Sequence, residues 1–125
     1  MRITLAKAGE NKTVCFAARE LARYLRRMDR SVEITEMSFS AYRPDVRALW
    51  IGTDEALGRM LPDVPDPALD DAIGIAFENG AGFVAGNNPR SVLIAAYRLL
   101  RELGCAWPSP GEEAEVVPPC RLAEA

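Results

Sequence analysis

Apolar and polar residues alternate from Arg2 to Ala6, the period of a half-buried strand, and Ala8-Gly9-Glu10-Asn11-Lys12 follows with turn chemistry. From Thr13 to about Asp29 the period changes. Val14, Ala17, Ala18, Leu21, Tyr24, Leu25 and Met28 recur at helical spacing, with Arg19, Glu20, Arg23, Arg26 and Arg27 on the opposite face and Thr13 as the expected N-cap. Ser31 to Glu36 alternates again, and residues 37–46 read as a loop. Arg47-Ala48-Leu49-Trp50-Ile51-Gly52 has the continuous apolar character of a buried strand, after which Thr53 is expected to cap a short helix from Asp54 to Leu61. Three prolines and four acids between Pro62 and Asp71 predict a surface loop.

Two β-like runs follow, Ala72 to Phe77 and Gly82 to Gly86. Between them stands Glu78-Asn79-Gly80-Ala81, whose Asn-Gly pair suits the positive φ of a two-residue hairpin turn. Asn88 then caps a second long helix, with Pro89 at its first position, where a missing N–H costs nothing. Val92, Leu93, Ala96, Leu99, Leu100 and Leu103 form its apolar stripe, and Gly104 supplies the left-handed stop. The predicted order is β-α-β-β-α-β-β-α. Two long helices amphipathic on one side only should lie together on one face of a mixed β-sheet, an α/β (α+β) fold. Residues 1–110 read as a single domain and 111–125 as a tail or linker.

The composition narrows the function. The 125 residues, 49% of them hydrophobic, are enough for one core. A net charge of −3, with a mild excess of basic residues in the first half and of acidic ones in the second, offers no field for nucleic acid. Neither a membrane span nor a signal-peptide run is visible, so the chain as given is expected to be cytoplasmic. Cys15, Cys105 and Cys120 are odd in number and widely spaced, which fits reduced thiols and neither a disulfide framework nor a zinc site. The sequence has no histidine, which excludes histidine-based nucleophile systems and histidine metal sites. No metal or other cofactor is expected.

Each candidate for chemistry has a plainer reading beside it. Gly80-Ala81-Gly82-Phe83-Val84-Ala85-Gly86 lacks the spacing and context of a dinucleotide loop and reads as hairpin. Asn87, Asn88 and Arg90 stand at a helix start that could hold an anion, although capping explains them as well. The arginines of the first helix are interrupted by Glu20 and read as a solvated face. Asp70-Asp71 and Glu112-Glu113 are adjacent pairs whose side chains diverge, so they read as water-facing carboxylates and define no glycosidase pair. Cys15 reads as a packing residue. Trp107, in a Pro-flanked irregular segment, is a candidate to stack on a sugar ring, whereas Trp50 belongs to core or interface.

Three segments in order, Ala17 to Leu25, Leu49-Trp50-Ile51-Gly52 and Gly86 to Leu100, followed by Leu103-Gly104-Cys105-Ala106-Trp107-Pro108-Ser109-Pro110, resemble the N-terminal α/β domain that precedes the catalytic barrel in family 20 hexosaminidases and family 67 α-glucuronidases. The resemblance spans roughly residues 3–110. It departs from that pattern at Ser91, where a glycine is usual, and at Ala106, where a basic residue is usual. It implies a non-catalytic accessory domain of a carbohydrate-cleaving glycoside hydrolase, since the catalytic carboxylates of those families lie in a barrel of about 250 residues. The implied partner is such a barrel, or a second copy of the chain, docked on the sheet face that the helices leave uncovered, with Trp50 as its interface residue. The alternative is a stand-alone carbohydrate-binding or self-associating module, in which Asn87, Asn88, Arg90 and Trp107 would form the sugar platform.

Overall fold

The computed structural model describes residues 1–58, 61, 71–104 and 122. The elements run β1 (Arg2–Ala8), α1 (Lys12–Met28), β2 (Glu33–Phe39), β3 (Leu49–Thr53), β4 (Ile73–Glu78), β5 (Ala81–Gly86) and α2 (Pro89–Glu102). They form an α/β fold whose five-stranded sheet has the order β2-β1-β3-β5-β4. β1 pairs in parallel with β2 and β3, and β3 with β5, because helices or long connections carry the chain back before each of these strands. Only β4 is antiparallel, as its two-residue turn to β5 requires. In that turn Asn79 and Gly80 take φ values of 53° and 78°, the left-handed pair that matches the twist of the flanking strands.

Both helices lie on one sheet face, as the sequence predicts. Ile3, Leu5, Ile34, Leu49, Ile51 and Val84 reach from the strands to meet Val14, Leu21, Leu25, Val92, Leu99 and Leu100. Full burial of each of these side chains contributes about 2 kcal/mol. Leu122, within the predicted tail, belongs to the same core: it is fully buried, and its N–H donates to Asp29 Oδ2 at 3.2 Å. The Ser31 hydroxyl, with help from this N–H, holds the Asp29 carboxyl below its ordinary range.

Two local expectations are corrected. The cap of α1 is Asn11 and not Thr13; the Asn11 side-chain oxygen accepts from the N–H groups of Thr13 at 2.9 Å and Val14 at 3.3 Å. Residues 54–58 are turns and not a helix. Thr53 does start a helical turn, accepting from Leu57 N–H through its carbonyl and from Ala56 N–H through its hydroxyl. Gly58 then enters the left-handed region, and the Asp54 carboxylate turns away to accept from Leu61 N–H at 2.7 Å.

The second sheet face is also corrected, because the chain covers much of it by itself. Register sets Ala6, Trp50 and Phe83 in one row, with Ala85 and Gly52 in the next. The small side chains leave a trough around the indole. Phe39 and Tyr42 close on it with ring centroids 5.1 and 5.0 Å from that of Trp50, and Val46, Leu57 and Leu61 complete the cluster. The indole N–H donates to Val46 O at 3.1 Å, and Trp50 is only 3% exposed. The indole therefore serves this second core and keeps little surface of its own for a partner; on that face Met37 at the sheet's outer side stays 44% exposed. Trp50→Ala is predicted to cost about 3–5 kcal/mol of stability in urea denaturation of the isolated chain, the usual result of emptying a buried aromatic site.

Candidate functional site

The residues singled out for ligand binding gather at the head of α2, and their local geometry follows from Gly86. A Cβ there would overlap the backbone of Ser91 and Val92, so glycine lets the first turn of α2 rest directly on the end of β5. Asn88 caps the helix, its side-chain oxygen accepting from Ser91 N–H at 2.8 Å, with Pro89 at the first position. Asn87 faces the start of β4 and is bonded to it in both directions. Its N–H donates to Ala72 O at 3.0 Å, and its side-chain oxygen accepts from Ala72 N–H at 2.9 Å.

Ser91 and Asp71 complete the cluster, and sequence reasoning assigned a role to neither. Ser91 is the buried polar residue of the described core, fully inaccessible. Its hydroxyl lies 2.6 Å from Asp71 Oδ1, 2.8 Å from Asn87 Oδ1 and 3.0 Å from Asn88 Oδ1. One hydroxyl hydrogen serves one acceptor at a time, and the carboxylate is the nearest. The same Asp71 oxygen accepts from Arg90 Nε at 3.1 Å and Nη2 at 2.9 Å, and from Asn88 Nδ2 at 3.4 Å. Asp71 stays exposed to water, as expected, and its carboxylate also ties the approach to β4 to the first turn of α2.

The arrangement answers the question of an anion site. A helix N-terminus favours negative charge through its aligned peptide dipoles. Here the chain supplies that charge from Asp71, so the Ser91 hydroxyl and the Arg90 guanidinium bind a carboxylate of their own molecule. Those two groups, the hydroxyl first, hold the Asp71 carboxyl below its usual range. The only signal in the sequence was the acid itself, since the pair is separated by 20 positions.

The remaining candidates divide. Trp107, Cys105, Cys120, Glu112 and Glu113 lie outside the described residues. The arginine face of α1 is engaged: Arg23 pairs with Glu20 at 3.0 Å, Arg26 with Glu36 at 3.0 Å, and Arg23 and Arg27 lie over the Tyr24 ring. Beside the Trp50 cluster, at the opposite end of β5 from Asn87, a shallow cavity of about 360 Å³ is lined by Tyr42, Asp45, Arg47, Trp50 and Phe83 among others. Among the described residues no three metal-ligating side chains come together, and no helix is long and apolar enough to cross a membrane. No protein-family model, curated protein or solved structure matches the chain.

The Asp71 network makes stability depend on pH in a definite direction. A carboxyl whose folded-state pKa is depressed contributes stability above its unfolded value, near 3.8, and loses it as pH falls through the lower folded value. Asp71→Asn should therefore be less stable than the parent at pH 7, and the gap should narrow below about pH 4 in denaturation curves. Ser91→Ala, which removes the buried hydroxyl, should cost about 1–2 kcal/mol at pH 7 by the same measurement.

Proposed function

We propose that this chain is a non-catalytic accessory domain of a carbohydrate-cleaving enzyme, whose role is to support or position a separate catalytic barrel. The three segments that resemble the domains preceding such barrels occupy defined places in the fold. Ala17 to Leu25 lies within α1, Leu49 to Gly52 within β3, and Gly86 to Leu100 runs from the end of β5 through α2.

The observation that carries the reading is the use made of Asp71, Asn87, Asn88, Arg90 and Ser91. These polar groups are hydrogen-bonded to one another, to the backbone of Ala72 just before β4 and to that of the first turn of α2. Asp71 is thereby kept in its ionised form, unsuited to the proton-donating task of a glycosidase acid, which needs a raised pKa. Such a module contributes surface and rigidity, and chemistry falls to a partner. The coding sequence downstream of Ala125 tests this: it should encode a barrel-sized segment of about 250 residues with carboxylates at its strand ends. Absence of any such barrel from that reading frame and its neighbours would overturn the proposal. The isolated chain should leave a panel of aryl glycosides intact, and turnover abolished by a single carboxylate substitution would contradict it.

A second reading has one observation in its favour. The cavity beside Trp50 combines the aromatic side chains of Tyr42, Trp50 and Phe83 with the charges of Asp45 and Arg47, a mixture suited to the faces and hydroxyls of a sugar. In that case added saccharides should change tryptophan fluorescence saturably, and Tyr42→Ala should abolish the change.

A further inference from the structure

β1 and the first turn of α1 bring Lys7 and Cys15 together at the end of the sheet. Lys7 Nζ donates to Cys15 Sγ at 2.9 Å. That separation is the ordinary one for N–H···O, although sulfur is larger than oxygen, so the two atoms are close for an N–H···S contact. A thiol is also a weak acceptor for an ammonium donor. Glu36 and Ser38 line the same cavity of about 160 Å³, together with Leu5, Ala18 and Met37, yet Glu36 pairs with Arg26 at 3.0 Å. Among the described residues the sulfur is the polar partner of Lys7. Both residues are half-buried, on rigid elements, and the cavity leading to them is open to a small molecule.

From this geometry we infer that Lys7 and Cys15 form a redox-controlled covalent cross-link in which one oxygen atom bridges the lysine nitrogen and the cysteine sulfur, with dioxygen as oxidant. In the first step the Cys15 thiol adds dioxygen to give a peroxysulfenic group, S–O–O–H. In the second, Lys7 gives its ammonium proton to solvent and the free amine attacks the sulfur-bound oxygen, the N–O bond forms, the O–O bond breaks, and the departing hydroxide takes a proton from the nitrogen and leaves as water. The pair gives up four electrons and dioxygen accepts them, one oxygen remaining in the bridge and one leaving in water. Dithiol reductants reverse the process, returning amine, thiol and water. The cross-link fastens β1 to the start of α1 and belongs with the reversible oxidations open to an accessible thiol.

Peptide mapping by mass spectrometry tests this on the unmodified full chain, comparing protein held under dioxygen with protein held anaerobically with dithiothreitol. The oxidised sample should lose trypsin cleavage after Lys7 and yield Ile3–Lys12 joined to Thr13–Arg19, heavier than the two peptides together by one oxygen less two hydrogens. With ¹⁸O₂ the bridge should carry the heavy isotope, and dithiothreitol should restore both free peptides. Lys7→Arg and Cys15→Ser should each abolish the joined species while keeping the parent circular dichroism spectrum. Cleavage after Lys7 that persists while Cys15 advances to sulfinic acid, or a Cys15 that stays reduced under dioxygen, would overturn the inference.

Discussion

The Asp71 carboxylate sits where the positive end of α2, the Arg90 guanidinium and the buried Ser91 hydroxyl converge, and much of the surrounding architecture is fixed by keeping it there. It draws the chain entering β4 against the helix, while Asn87 extends the pairing of β4 with β5 beyond the last backbone rung. Gly86 permits the close approach that this needs. The buried Ser91 hydroxyl would be costly without a partner; with the carboxylate beside it, the groups specify one arrangement of strand, turn and helix.

The sheet sits between two cores of different character. On the helical side, aliphatic side chains from all five strands and both helices interlock. On the other, a bed of alanine and glycine receives one tryptophan, which the segment after β2 and the turn after β3 close over. This second core is thin and local, and it leaves the edge of the face near Met37 uncovered.

Legibility in the sequence followed the range of the interaction. The Asn79-Gly80 turn, the Asn88-Pro89 helix start and the apolar stripes are set by neighbours within one or two turns, so they were readable from the residues alone. The short helix after Thr53 was misread because Gly58 and the Asp54 side chain compete with helix propagation, an outcome that propensity does not decide. The partnership of Asp71 with Ser91, the burial of Trp50 beneath Tyr42, and the meeting of Lys7 with Cys15 all depend on how elements dock. Among the site residues, Asn87, Asn88 and Arg90 were located correctly as a group at a helix start, but the sequence had no way to present Asp71 as the anion already bound there.

Native-state hydrogen exchange at the amides of Ala72, Asn87 and Ser91 is the most direct measurement of whether the head of α2 is a structural knot. The account predicts that these three amides exchange only through global unfolding, with protection equal to that of the central strand β3. Exchange at rates typical of a loosely held turn, while β3 remains protected, would contradict it and return these residues to the role of an open binding surface.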